Sequence, residues 1–426
     1  MGLEQYRGDV AMCHRCSCCK FIPMQKVANK EFSYVCPSIS RYNFHFYCGG
    51  GRLNIAKDAL ANGFKYTPKI LDMVKNCQMC GACGVSCNYA MDMEVLNPIQ
   101  EFRIQSVKDG HTVPVLDETI ESLKKRDTMV TGSTAQRGDW ANGLNLKDYT
   151  RDKVDVIYHV GCQADFNKNL WKVARDSAKL LQKAGVNFGI GGSGETCCGG
   201  RSYQMGYEPE FLAQAKKNME LIQKSEVKTL VTGCADCYQA FKVLYDKFHL
   251  RGALEVLHTS EYFAALIKEG RLKPKNAVDL SVTYHDPCRL GRLSEPWIHW
   301  EGQQLPGGNF VFDPPRTYRR GTYGVYEPPR DILKSIPGVR LTEMTRIKEY
   351  AWCCGAGGGV SDSNPDFAIW TARERIREAI STGAEALVTA CPWCEKLFSE
   401  AVRESGGSLK IYDIAELLEK AVQERG

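Results

Sequence analysis

The chain has 426 residues, an ordinary hydrophobic share of 43% and charges that nearly cancel at a formal +5. That balance does not argue for a nucleic-acid-binding surface, and no apolar run reaches the roughly 18 residues that a membrane span needs. The outlier is the cysteine count of 20, which in a long chain with C-x-x-C spacings points to metal binding in a reducing compartment rather than to disulfides.

Met1 leads straight into a polar segment with no secretory pattern, so the expected location is cytoplasmic. Residues 13–87 hold ten of the cysteines. Cys77-x2-Cys80-x2-Cys83-x3-Cys87 is the ferredoxin run, in which three closely spaced thiolates embrace one cluster and the fourth serves a second. A second run is present in altered form: Cys13-x2-Cys16-x2-Cys19, then Cys36-Pro37 after an insertion. Crossing the fourth ligands gives one set of Cys13, Cys16, Cys19 and Cys87 and another of Cys77, Cys80, Cys83 and Cys36. Cys18 and Cys48 are left over, and Cys48, just before Gly49-Gly50-Gly51, is an alternative to Cys36. Four thiolates also suit zinc, but a zinc ribbon pairs two C-x2-C units, whereas this spacing favours a cubane.

Residues 1–105 are therefore expected to be a two-cluster ferredoxin-like head. A linker over 106–152 follows, with a short helix from Thr119 to Lys125 and a glycine-rich loop from Gly132 to Gly143. Val154 to Val160 alternates like a strand and ends on Gly161-Cys162. Leu170 to Ala184 has helical spacing. After Cys197-Cys198-Gly199 come a helix from Glu210 to Lys224, the strand Thr229 to Thr232, and Cys234-x-x-Cys237. Strands alternating with helices imply a mostly parallel sheet with ligands at the carboxyl ends of its strands.

From Ser281 the unit begins again. A strand ends on Cys288, Cys353-Cys354-Gly355 follows, and Ala386 to Thr389 leads into Cys391-x-x-Cys394. The copies register throughout, apart from additional residues at about 294–322 that carry Trp297, Trp300, Phe310, Phe312, Tyr318, Arg319 and Arg320. This is an internal duplication, with units at 153–275 and 276–426. Five thiols per unit exceed what zinc or a simple cubane requires. The aromatics and arginines of the insertion suit a subunit contact, with a substrate lid as the sharper alternative. Gly189-x-Gly191-x-x-Gly194 fits a dinucleotide pattern formally but lacks the acidic partner residue and runs into Cys197. His159 and His285 occupy matching places and read as hydrogen-bonded strand residues.

These motifs together resemble the D-type subunits of heterodisulfide reductase: a ferredoxin head followed by two cysteine-rich "CCG" domains. The resemblance implies two cubane [4Fe–4S] clusters in the head and one or two non-cubane [4Fe–4S] clusters. The latter would sit on Cys162, Cys197, Cys198, Cys234 and Cys237 and on Cys288, Cys353, Cys354, Cys391 and Cys394. It further implies α/β CCG domains behind a mostly helical head, no flavin or NAD in this chain, and redox partners. Those partners would be a flavin-containing A-type subunit, a ferredoxin, or a terminal reductase as in class II benzoyl-CoA reductase complexes. The expected function is electron transfer within such a complex. The alternatives are reduction of a disulfide at the CCG clusters, with Cys353 and Cys354 as candidate catalytic positions, and a zinc-scaffold interaction protein.

Overall fold

Short β-branched runs bounded by glycine are the segments that become strands, and they assemble into two parallel sheets. In the computed structural model the described residues are 2–23, 26–27, 29–130, 136–306, 311–316 and 320–422; Gly132, Phe310, Tyr318 and Arg319 lie outside them. The first sheet contains β1 (Lys147–Asp148), β2 (Val156–His159), β3 (Phe188–Ile190), β4 (Thr229–Thr232) and β5 (Glu255–His258), in the order β1-β3-β2-β4-β5. The second region holds β6 (Leu280–Tyr284), a small antiparallel ribbon of β7 (Gln303–Gln304) and β8 (Phe312–Asp313), β9 (Val339–Leu341), β10 (Ala386–Thr389) and β11 (Lys410–Asp413). Its four-stranded sheet runs β11-β10-β6-β9.

Read from the matching edge, the second order is β9-β6-β10-β11, the same as β3-β2-β4-β5. The duplication visible in the sequence is thus a duplication of topology. One inner strand of each sheet, β2 and β10, is buried throughout, as parallel strands covered on both faces must be. In-register pairing of Val156 to His159 with Thr229 to Thr232 brings β2 and β4 to the same sheet edge, where Cys162 and Cys234 emerge. The pairing of β6 with β10 does the same for Cys288 and Cys391.

The region before the first sheet is helical: Pro37–Tyr42, Gly49–Asn62, Pro68–Lys75, Ala82–Met91, Leu96–Lys108 and Pro114–Arg126. Its core sets Leu53, Ala56, Val74, Ile99 and Phe102 around Cys19, Cys36 and Cys48. The helix expected from Thr119 to Lys125 forms and begins earlier, because Pro114 is preset for a first helical turn. The described part of the insertion folds back on the head. The Trp300 amide donates to Asp92 at 3.0 Å, and buried Arg320 pairs with buried Glu94. Among the described residues no helix is long and apolar enough to cross a membrane.

Candidate functional site

Each cysteine pair sits in a loop turned by the glycine that follows it. Gly199 and Gly355 have φ of +73° and +104°, a region open to glycine and strained for other residues. That turn aims the Gly199 N–H at Cys197 Sγ and the Gly355 N–H at Cys353 Sγ, 3.4 Å in each unit. Backbone donors on sulfur stabilise a thiolate or a metal–thiolate bond.

Within the first unit Cys162 Sγ lies 3.8 Å from Cys197 Sγ, far longer than a disulfide. Cys198 is hydrogen-bonded by the thiols of Cys197 and Cys237, which bring it down to about 5. Cys237 in turn meets Cys234. In the second unit Cys353 contacts Cys288 and Cys354, Cys354 contacts Cys394, and Cys394 contacts Cys391. Both quintets expected from the sequence are therefore gathered.

The quintets also touch each other, which the sequence did not reveal. Cys234 is hydrogen-bonded to Cys391, and the metal-binding atoms of Cys234, Asp236 and Cys391 all lie within 4.8 Å of one another. At the far end of the second quintet, Cys353 meets Cys80 of the ferredoxin run, whose thiol this contact lowers to about 5. Cys80, Cys77 and Cys36 lie close enough to interact, as do Cys83 and Cys36, with Cys87 beyond. Cys87 faces Cys16, Cys13, Cys18 and Cys48, and Cys19 is hydrogen-bonded to Cys48. The structure thus sets Cys36 among Cys77, Cys80 and Cys83, and sets Cys48 with Cys13, Cys16, Cys19 and Cys87.

Buried arginines lock this array together. Arg289 pairs with Asp236 of the other unit at 2.9 Å and donates to Cys288 Sγ at 3.3 Å. Arg292 donates to the Cys80 carbonyl at 2.6 Å. Arg201 reaches across to the Ala356 carbonyl and the Asp362 carboxylate, 2.9 Å in each case. Arg103 donates to the carbonyls of Cys77, Gln204 and Gly358 at 3.0, 2.9 and 2.8 Å, tying the head to both units. Sequence reasoning passed over these residues. The signal was their spacing: Arg201 follows Cys198 by three positions, Arg289 is next to Cys288, and Arg292 lies four beyond it.

His159 ends β2, and His285 lies one residue beyond β6. Burial lowers His159 to about 3, with its ring edge-on to Phe241; burial, then Arg375, holds His285 well below the usual imidazole range, and its ring meets Phe398 edge-on. Glu195 accepts the Gly161 N–H at 3.0 Å, and burial raises it to about 7. The Gly189-x-Gly191-x-x-Gly194 segment forms the end of β3 and a short 3₁₀ turn, and the next helix starts at Gly200, beyond the cysteine pair. It therefore lacks the strand–turn–helix context of a dinucleotide site.

A cavity of about 350 Å³ opens beside the array. Its walls include Tyr6, Tyr203, Lys242 and Lys247, with Trp297 and Arg320 of the insertion, and its lining includes Gln204 and Arg289. Those two side chains clasp Asp236, each at 2.9 Å, beside the Cys234–Cys391 contact.

The donor chemistry fits iron–sulfur clusters. All 20 cysteines are free thiols, and among those of the two quintets only Cys288 is less than fully buried. Ligation needs thiolates, so an array of crowded thiols that cannot all ionise gains from a bridging metal that replaces their protons.

Comparison with known proteins agrees. The cysteine-rich domain model, CCG, matches residues 156–242 and 282–399. Over 364 residues the chain is 30% identical to the D-type subunit of dihydromethanophenazine:CoB–CoM heterodisulfide reductase from Methanosarcina mazei, covering 82% of this chain and 78% of that one. It spans 60% of the corresponding chains of Methanosarcina barkeri and Methanosarcina acetivorans. It is 33% identical to the probable iron-sulfur-binding oxidoreductase FadF of Bacillus subtilis, covering 81% of this chain and 46% of that protein. With EtfAB:quinone oxidoreductase of Syntrophomonas wolfei it shares 28% identity over 83% of this chain and 47% of that one. The crystal structure of a hypothetical protein from Helicobacter pylori shares the fold, with a TM-score of 0.54 at 10% identity over 89% of this chain and 68% of that one. With the cysteine-rich domain present twice and the similarity running along most of its length, this chain belongs to the family of heterodisulfide reductase D-type subunits and is an iron–sulfur redox subunit.

Proposed function

We propose that this chain is an electron-transfer subunit that carries single electrons between the head and the two CCG quintets on behalf of a partner reductase. The observation that carries the reading is the unbroken file of thiols. From the set of Cys13, Cys16, Cys19 and Cys87 it passes to Cys83, Cys36, Cys77 and Cys80, then through the Cys80–Cys353 contact into the second quintet. The Cys234–Cys391 contact continues it into the first quintet. In this reading the two head sets hold cubane [4Fe–4S] clusters, with Cys36 completing the second. The quintets Cys162, Cys197, Cys198, Cys234, Cys237 and Cys288, Cys353, Cys354, Cys391, Cys394 hold the non-cubane ones. Such clusters supply one-electron carriers whose potentials respond to burial and to N–H donors on sulfur. The chain's own part is to seat the four thiol sets in series, exclude water from the inner ones, and lock their order with Arg103, Arg201, Arg289 and Arg292. The domain limits follow the same division: head 1–105, linker 106–152, units 153–275 and 276–426. The partner is another redox protein: a flavin-containing A-type subunit, a ferredoxin, or a terminal reductase of the benzoyl-CoA type.

A second reading, reduction of a disulfide, is favoured by one feature. The cavity places Arg289 and Gln204 in its lining beside the point where the quintets meet, so a small molecule there would lie close to both. The test is anaerobic, iron-loaded protein with reduced viologen and a low-molecular-weight disulfide. The relay reading expects the protein's visible absorbance to bleach on reduction with no thiol released. Sustained disulfide turnover by the chain alone would overturn it in favour of the second reading.

A further inference from the structure

The outermost thiol set is the one that meets solvent. Cys16 and Cys18 are exposed, whereas every cysteine of the quintets is buried except the half-buried Cys288. The loop that carries Cys16 is thrown outward by two residues in the left-handed region, Arg15 and Ser17, at φ +56° and +70°. The surroundings of this mouth are unusual in charge. Between Asp9 and Asp58 the chain has seven lysines and arginines against three carboxylates, Asp9, Glu31 and Asp58, and one of the cations, Arg52, is buried. This excess of four is most of the +5 of the whole chain.

Several of these cations stand at the mouth itself. Arg15 is adjacent to exposed Cys16, and Lys20 and His45 are near enough to Cys48 to act on its thiol. Gly50 lies over Cys13 and Cys19, and Asn54 and Lys57 follow it at i+4 and i+7 on the same stripe of the helix Gly49–Asn62. Others are already used: Lys26 pairs with Glu349, and Arg41 stacks on Trp370. Among the described residues Arg15, Lys20 and Lys57 form no ion pair with a carboxylate. Two large apolar side chains flank the same opening. Met12, next to Cys13, is 39% exposed, and Phe44, next to His45, is 59% exposed.

Building on the electron-transfer reading above, we propose that this basic mouth, with Met12 and Phe44 as its apolar contacts, is the docking face for an acidic one-electron carrier protein. Charge complementarity selects that occupant. Transient redox encounters use small interfaces steered by opposite charge, with a few apolar contacts at the centre. A basic carrier would be repelled. At this mouth an electron arrives at the start of the thiol file, and no proton or bond change accompanies its transfer.

The test uses the full iron-loaded chain and, as probe, an acidic [2Fe–2S] ferredoxin titrated calorimetrically at several ionic strengths. Affinity is expected to fall steeply with salt. It is expected to drop at least roughly tenfold in Arg15→Glu/Lys20→Glu and in the more distant pair Phe44→Ser/Lys57→Glu. Lys216→Glu/Lys224→Glu on the helix Glu208–Lys224 should leave it unchanged. Iron content equal to that of the parent chain shows that each variant remains loaded. Unchanged affinity in both mouth variants, or equal binding of a basic cytochrome c, overturns the proposal. Reduction by dithionite separates the two levels: if it bleaches the protein normally while the titrations fail, the docking face falls and the electron-transfer reading stands. If dithionite cannot reduce the loaded protein, that reading falls, and the docking face built on it is overturned too.

Discussion

At the scale of single residues, the glycine after each cysteine pair does two jobs. It turns the backbone into the left-handed region and leaves room where the neighbouring chain presses in. The two copies differ in that second respect. A Cβ on Gly355 would stand 2.4 Å from the Ala368 carbonyl oxygen, whereas one on Gly199 would meet Gln214 Cβ at the longer distance of 3.2 Å. Gly355→Ala is therefore expected to cost at least about 1–3 kcal/mol from backbone strain, with the carbonyl clash added, and to lower the iron bound per chain. Gly199→Ala should be milder on both counts. Urea denaturation and iron analysis of the two variants side by side check this, and equal effects would contradict the asymmetry. The cysteines themselves were legible in the sequence because their spacing repeats; the carbonyl that makes Gly355 the stricter of the two comes from Ala368, and no local pattern announces it.

At the scale of elements, the helix Leu96–Lys108 is the tie between the head and both units. It is predominantly buried, and Arg103 spends its guanidinium on five backbone carbonyls, of Val74, Lys75, Cys77, Gln204 and Gly358, from three different parts of the chain. A carbonyl left unmet in that interior costs free energy, and hydrogen bonds from a charged donor are worth about 1.5–3 kcal/mol each. Arg103→Met is expected to destabilise the fold by about 3–5 kcal/mol in chemical denaturation. Arg103→Lys should recover only part of this, because one ammonium group cannot reproduce a planar fork. Full recovery by lysine would mean that charge alone matters at this site. The strands β2, β4, β6 and β10 were readable from alternation and from their Gly-Cys or Cys ends. The role of this helix was not, since its partners lie about 100 and 255 residues away in sequence.

At the scale of the whole molecule, duplication supplied two equivalent sheets, and the arrangement of those sheets brought their thiol sets into contact. The matching orders β3-β2-β4-β5 and β9-β6-β10-β11 place every CCG cysteine at a corresponding edge. Periodicity and spacing reveal that much. They do not reveal which edge of one unit faces which edge of the other, so the contacts Cys234–Cys391 and Cys80–Cys353 were invisible before the fold was known. Those two contacts turn four separate thiol sets into one file. The insertion shows the same limit: its aromatics and arginines suggested a subunit contact or a substrate lid, and neither reading shows that Trp297 lines this cavity or that Arg320 is buried against Glu94.

The most direct measurement is anomalous diffraction at the iron absorption edge from crystals of anaerobically purified protein. The account expects four iron centres, two between the head cysteines and one on each quintet, lying in sequence from Cys16 through Cys80 and Cys353 to Cys162. Zinc at these positions, a disulfide between Cys353 and Cys354, or quintets without iron would contradict it.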